Sequence, residues 1–375
     1  MTTRRQFSTF VTAASLAAPS VLRAQNSKII LGQSAAFTGA AAQLGIQFHA
    51  GAKLLFDSVN AQGGMGGRSI EIRQLDDGYE PDRCAENTRQ LIADDVFALF
   101  GYIGTPTSLV ALPLATQAKI PFFAPFTGAM ALRRPFNRYA FHIRASYNDE
   151  TALIVRQLNN VGVQRIAVLY QNDAYGRAGL DGVTLALAAR NLKPVATATV
   201  ERNSVDVAKA VTTISAANPD AIVQISAYKS CAAYIRASRK AGYGSSFYNV
   251  SFVGTQALAD ELGAEGAGVV VSQVMPSPYA PSRPIAREFA EAVKKSNGAV
   301  NANFSSMEGF LAAKVFVEGL RRSGGTGGRE GLITALETIR EQSFGGYFVN
   351  FSGNDHVASN FCELSLLTGD GRVRT

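Results

Sequence analysis

Strand-like and helix-like stretches alternate along this chain for most of its length, and that alternation restricts its fold more than any other feature. It predicts α/β layers built on mainly parallel sheets. The strand candidates are short β-branched or aromatic runs in two series. The first comprises Lys28 to Gln33, Ser69 to Arg73, Val96 to Phe100, Pro121 to Ala124 and Ala140 to Ile143. The second comprises Arg165 to Tyr170, Val195 to Val200, Ala221 to Ile225, Phe247 to Val253 and Gly268 to Gln273. Helical spacing separates them: Ile154, Leu158 and Val161 share one face, as do Val207, Val211 and Ile214. Three helices come late, near Ile285 to Lys295, Met307 to Arg322 and Glu330 to Arg340. In the middle one, Phe310, Ala313, Val317 and Leu320 form a core-facing stripe. Strand-like pieces follow at Tyr347 to Phe351 and Phe361 to Leu367.

Two such series suit two similar lobes, and a chain of 375 residues is too long for one compact core. The expected crossings between lobes are His142 to Tyr147, Met275 to Pro284 and a third near Phe344 to Tyr347. The proline-broken run Met275 to Pro281 cannot continue a regular element. Lobe 1 is thus expected to take 25–144 with 277–345, and lobe 2 to take 145–276 with 346–375. The clusters Gly63 to Gly67 and Gly324 to Gly328 read as a helix stop with tight turn and as a loop, not as phosphate cradles.

Residues 1–24 read as a removable export signal. Arg4 and Arg5 precede Phe7, and the apolar run Phe10 to Leu22 is too short to span a membrane. The paired arginines fit a twin-arginine signal as well as an ordinary one. The expected location is therefore periplasmic, across the inner membrane. Without Arg4, Arg5 and Arg23 the formal charge falls from +7 to about +4, too weak and dispersed for nucleic acid. Cys84, Cys231 and Cys362 lie far apart and have no metal-site spacing; buried, unpaired thiols are expected. No lipid anchor is expected at the cleavage zone, since Cys84 is the first cysteine.

No nucleophile elbow, phosphate loop, zinc helix or dinucleotide fingerprint occurs, so no enzyme, metal or cofactor is expected. His49, His142 and His356 stand apart; His49 and His142 read as structural. The pair Asp76-Asp77 reads as a strand terminus that caps the helix after Pro81, in preference to an acid/base pair.

A series of motifs in a fixed order then carries a resemblance. It comprises Phe37-Thr38-Gly39 with Gly45, Asn60 to Arg68, Asp76 to Pro81, Phe100 to Thr107, Pro121 to Thr127, Asn172 to Gly176, and Ala227-Tyr228 leading to Lys240-Ala241-Gly242-Tyr243. Over nearly the whole chain after the signal, this order resembles the periplasmic substrate-binding proteins of ABC importers, in the branch similar to the leucine/isoleucine/valine-binding proteins. The resemblance implies a type I periplasmic-binding-protein fold, α/β, with two doubly wound parallel-sheet lobes joined by a three-segment hinge. It also implies a small-molecule ligand and an ABC permease as partner. Ligand contacts are expected from Thr105 and Thr127, with Tyr102, Phe126 and Gly128 on the same loops and Leu44 nearby. The other lobe is expected to supply Tyr175, Tyr228 and Phe252.

This chain departs from the amino-acid binders of the family at one decisive place. They hold the ligand ammonium with an acid after the strand that is here Tyr248 to Val253, and this chain reads Asn249 to Gln256 with no acid at that turn. An ammonium buried without a partner loses about 3–5 kcal/mol. Another carboxylate such as Asp173 would have to take the missing acid's place, and the neighbours of Asp173 in the sequence do not single it out. The expected ligand is therefore a small carboxylate with an apolar or aromatic body, either amino acid-like or an aromatic or aliphatic acid without the amine. Two other readings stay open at this point, a sensing module of the same fold that signals to a regulator and a secreted α/β hydrolase.

Overall fold

The computed structural model describes residues 28–325 and 327–375. The expected signal, residues 1–24, lies outside the described residues. Lobe 1 is built on five parallel strands, β1 (Ile29–Ala35), β2 (Ile70–Asp76), β3 (Ala98–Phe100), β4 (Phe122–Phe123) and β5 (Ala140–Phe141), in the order β2-β1-β3-β4-β5. Helices α1 (Ala42–Ala61), α2 (Pro81–Ala93) and α3 (Thr105–Gln117) connect the first four. The chain then crosses over residues 142–146 into α4 (Tyr147–Asn160), whose N-cap Ser146 and Asp149 form a reciprocal capping box.

Lobe 2 continues with β6 (Ile166–Gln171), α5 (Ala174–Ala188), β7 (Thr197–Val200), α6 (Ala208–Ser215), β8 (Ala221–Ile225), α7 (Tyr228–Lys240), β9 (Ser246–Asn249), α8 (Thr255–Leu262) and β10 (Val270–Gln273). After a second crossing, α9 (Pro284–Lys295), α10 (Phe304–Arg322) and α11 (Arg329–Leu336) return to lobe 1. Helix α10 lies directly on α1, and two glycines permit the approach. A β-carbon at Gly51 would fall 1.8 Å from the Ser306 carbonyl oxygen, and one at Gly309 would fall 2.0 Å from that of Phe48. The remaining strands are the hairpin β11 (Gln342–Phe344) and β12 (Tyr347–Val349), then β13 (Glu363–Leu367) and β14 (Val373–Arg374). The last two complete a seven-stranded sheet, β14-β13-β10-β9-β8-β6-β7, antiparallel only at that edge.

The two expected strand-helix series are present, and three differences have physical causes. The third crossing falls at 359–362 and not at 344–347. The Tyr347 hydroxyl donates to the Ile143 carbonyl at 2.6 Å, His142 pairs with Val357, and the His356 ring stacks on Phe141 at 3.7 Å. These contacts keep residues 346–358, expected in lobe 2, on lobe 1. The expected strand Phe247 to Val253 ends at Asn249, and Ser251–Val253 forms a 3-10 turn before the positive-φ residue Gly254. Val161, expected on the buried stripe of its helix, sits at the C-cap of α4 and is 61% exposed.

Candidate functional site

The carboxyl ends of both sheets face one another, and the loops leaving them meet in the cleft. On lobe 1, Asp76-Asp77 shape the loop after β2. Asp76 accepts the backbone N–H groups of Phe37, Thr38 and Gly78 and the Thr38 hydroxyl. Burial opposes its ionisation, but those hydrogen bonds prevail and hold its pKa down at about 2. Asp77 accepts the Tyr79 N–H at 2.8 Å and the Ser34 hydroxyl at 2.7 Å, and burial lifts its pKa to about 6. The expectation that the pair caps the following helix is corrected: Glu80 is the N-cap residue of α2, with no side-chain cap bond. The pair builds an Asx-type turn whose strained outcome is Tyr79 at φ 65°. This turn sends the Tyr79 ring, fully buried, into the cleft.

The β3–α3 loop adds Thr105, at the first residue of α3, and the loop after β4 adds Phe126, Thr127 and Gly128. The two loops are stitched together by the Ile103–Phe126 bridge and by a 2.6 Å bond between the Thr105 and Thr127 hydroxyls. From the first crossing come Arg144 and Tyr147, the latter opening α4. On lobe 2, Tyr175 lies in the first turn of α5, and Phe252 projects from the 3-10 turn. Glu150 fixes that turn by accepting the Ser251 N–H, the Ser251 hydroxyl and the Ser272 hydroxyl at 2.7, 3.0 and 2.6 Å.

The lobes are closed on each other. Phe252 of lobe 2 meets Phe126 and Tyr79 of lobe 1, each with ring centroids 5.8 Å apart, and meets Tyr175 at 4.4 Å. Gln171 donates to the Tyr79 hydroxyl at 3.2 Å. At the rim, Arg202 pairs with Glu80 at 2.8 Å, and Asn203 donates to Glu80 and to the Gly78 carbonyl. Leu44 closes another edge, since a β-carbon at Gly254 would lie 2.4 Å from it.

Of the expected contact residues, the structure brings Leu44, Thr105, Phe126, Thr127, Gly128, Tyr175 and Phe252 around this cleft. Tyr228 stands at its margin, packed in the lobe 2 core with its hydroxyl against the Gln43 N–H. Tyr102 is not part of it: its ring packs on Phe122 in the second core of lobe 1, and its hydroxyl pairs with Thr88 at 3.1 Å. Tyr79, Arg144, Tyr147 and Glu150 went unread. The Asp-Asp-Gly-Tyr turn was a usable signal for Tyr79, because an Asx turn followed by glycine reverses the chain. Arg144 and Tyr147 sit inside the expected crossing.

The chemistry of the cleft is that of neutral donors. Burial lifts the Tyr147 pKa to about 12 and raises that of Tyr175 well above the usual phenol range, so both hydroxyls keep their protons at neutral pH. The buried Tyr175 hydroxyl has no hydrogen-bond partner, and that of Tyr147 has the Thr127 side chain as its neighbour without a bond of good geometry. The N-termini of α3, α4 and α5 all lie here; α4 is closed by the Ser146–Asp149 capping box and α5 by Asp173, which leaves the first turn of α3 as the uncapped one that favours an anion. The carboxylates, by contrast, are committed. Asp173 caps α5 through the N–H groups of Tyr175 and Gly176, and it also takes Gln171 and Arg202. Glu150 is held by its serines. Among the described residues no cluster of His, Cys, Asp and Glu suits a metal, and the three cysteines are free.

Two parallel-sheet lobes shut on a donor-lined cleft define a two-lobed ligand-binding receptor. The chain matches the model of the periplasmic binding protein family over residues 28–364 and belongs to that family, whose members are substrate-binding proteins and not enzymes. It is 32% identical to a possible leucine/isoleucine/valine-binding protein from Rhodopirellula baltica SH 1, with a TM-score of 0.87 over 93% of this chain and 96% of that one. A substrate-binding periplasmic protein from Ralstonia solanacearum is 31% identical, with a TM-score of 0.87 over 92% of this chain and 99% of that one. The Leu/Ile/Val-binding protein homolog 7 of Brucella suis biovar 1 (strain 1330) is 23% identical over 308 residues, which is 78% of this chain and 77% of the relative. Among the described residues no helix is long and apolar enough to cross a membrane.

Proposed function

We propose that the protein is an extracytoplasmic solute receptor. It captures a small carboxylate with an apolar or aromatic body between its lobes and hands it to an ABC permease. The observation that carries this reading is the asymmetry of the cleft. Its least engaged polar groups are the Tyr147 and Tyr175 hydroxyls and the uncapped opening turn of α3, while its acids are already occupied. An anion gains from every one of these groups, at about 1.5–3 kcal/mol for each hydrogen bond to charge. An ammonium finds no uncommitted carboxylate among the acids of the cleft, Glu150 and Asp173, and would cost about 3–5 kcal/mol to bury without a charge partner. The rings of Tyr79, Phe126, Tyr175 and Phe252 supply the apolar wall, and a pocket of this kind needs few polar groups. The relatives named for leucine, isoleucine and valine support ligands of this size and shape. The missing acid at Asn249 to Gln256 argues for members without the amine.

Calorimetry with leucine, isoleucine and valine beside their amine-free acids, and beside benzoate and phenylacetate, tests the proposal. Micromolar binding of the acids with weak or no amino-acid binding is expected. Tight leucine binding with no response to any amine-free acid would overturn it. Delivery to a permease is tested separately, by acid uptake into cells that carry or lack this receptor.

A further inference from the structure

Arg144 is fully buried where the chain first crosses between lobes. Two of its guanidinium nitrogens, Nε and Nη2, each donate to Glu308 on α10 at 2.9 Å. Its flat face lies 4.0 Å from the centroid of the Phe126 ring, so the charge sits against a wall of the cleft. The third nitrogen, Nη1, is buried and has no acceptor. A buried charged donor left unmet is costly, and few sequences keep one without a use for it. The nearby acid on lobe 2, Glu150, lies beyond ion-pair distance and is bound to Ser251 and Ser272. Arg133 lies close by and also carries positive charge; its Nε is buried without a partner, while its Nη1 and Nη2 are bound to the carbonyls of Thr127, Arg144 and Ala145. It thereby ties the ligand loop to the crossing. The local buried charges, Arg133 and Arg144 against Glu150 and Glu308, balance; Arg133 Nε and Arg144 Nη1 are both without an acceptor, and of the two side chains it is Arg144 that lies against the Phe126 ring of the cleft wall.

We infer that Arg144 anchors the ligand carboxylate through Nη1, with the Tyr147 and Tyr175 hydroxyls completing the seat. The inference rests on the carboxylate reading above and deepens it. A single anion would then touch the crossing through Arg144, the base of α4 through Tyr147 and lobe 2 through Tyr175. Binding and lobe closure become one event, because the seat is complete only when the lobes are shut.

The test compares benzoate, phenylacetate and isovalerate with their primary carboxamides, by calorimetry on the full protein. Changing Arg144 alone strands Glu308, so the pair is replaced together as Arg144→Met with Glu308→Gln, which keeps the buried charges balanced. Tyr175→Phe is the second variant, since its hydroxyl has no protein partner to lose. The wild-type protein is expected to prefer acid over amide by about 100-fold, the worth of a charged hydrogen bond. The double variant is expected to lose that preference. Tyr175→Phe is expected to bind the acids about 10-fold more weakly with an unchanged or higher melting temperature. A folded double variant that keeps the full acid preference overturns the anchor alone, as does a Tyr175→Phe protein with unaltered affinity. A wild-type protein that binds none of the acids overturns the carboxylate reading and the anchor together.

Discussion

Tyr79 and Gly104 are fitted to each other: the tyrosine ring occupies the volume that a side chain at residue 104 would need. A β-carbon there would lie 2.2 Å from Tyr79 Cε2, and Gly104 itself has φ 99°, a backbone state that side chains disfavour. Gly104→Ala should therefore cost about 1–3 kcal/mol in backbone strain alone. It should also push Tyr79 off Gln171 and weaken ligand binding by roughly 10-fold. Thermal melting and calorimetry on the same sample check both effects. An unaltered melting temperature would show that the loop has room for the methyl group.

The Glu80 carboxylate bridges the rim of the closed cleft to Arg202 and Asn203. Both partners of the ion pair are partly exposed, so the bond is worth about 0.2–1 kcal/mol and is screened by salt. Glu80→Gln should weaken ligand binding by at most about 5-fold at low ionic strength. Added salt should erode the wild-type affinity toward the variant's and leave the variant nearly unchanged. A salt series of titrations on both proteins decides the matter; parallel curves would mean that the bridge does not favour closure.

The parts of this molecule that were legible in the sequence are those set by local periodicity. The alternation of strands and helices was readable because short β-branched runs such as Ala221–Ile225 and stripes such as Phe310, Ala313 and Leu320 carry their own pattern. The second crossing was readable because prolines cannot extend a strand. The third was not, since its position depends on His356 stacking on Phe141 and on the Tyr347 bond to Ile143, contacts between residues more than 200 apart. The site divides in the same way. Thr105 and Thr127 follow strands and open loops at the expected end of a sheet. Tyr102 sits on the same loop but is turned into the core, a direction that residue order does not give. Arg144 has no local signature, and its role emerges only when α10 brings Glu308 to it.

Asp77 and His49 should pull the pH dependence of stability in opposite directions. Burial raises the Asp77 pKa from 3.8 to about 6, so between these values the folded chain holds more protons than the unfolded one. This contribution falls as pH rises through that window. Burial, assisted by Lys53, lowers the His49 pKa from 6.5 to about 4, so the unfolded chain holds more protons there and stability rises with pH. Asp77→Asn keeps an acceptor for the Tyr79 N–H and removes only the first effect. Its melting temperature should gain on that of the wild type between about pH 4 and 6, then hold the advantage at higher pH. Differential scanning calorimetry of both proteins over pH 4–8 measures the difference. A constant gap across that range would mean that Asp77 titrates normally in the fold.

Glu150 links the helix that opens lobe 2 to the turn that carries Phe252, and its two kinds of replacement should separate. Glu150→Ala leaves the Ser251 N–H and the hydroxyls of Ser251 and Ser272 without their acceptor in a buried place, at a cost of about 3 kcal/mol or more. Glu150→Gln retains a carbonyl oxygen for part of that set and should cost less. Once the 3-10 turn is loosened, Phe252 no longer holds its 4.4 Å approach to Tyr175, so acid affinity should fall with the alanine variant and largely survive in the glutamine one. Hydrogen exchange at the Ser251 amide reports the turn directly, and calorimetry reports the ligand. Fast exchange with full affinity would detach Phe252 from binding. Slow exchange in the alanine variant would mean that Gly254 and the strand β9 hold the turn without the carboxylate.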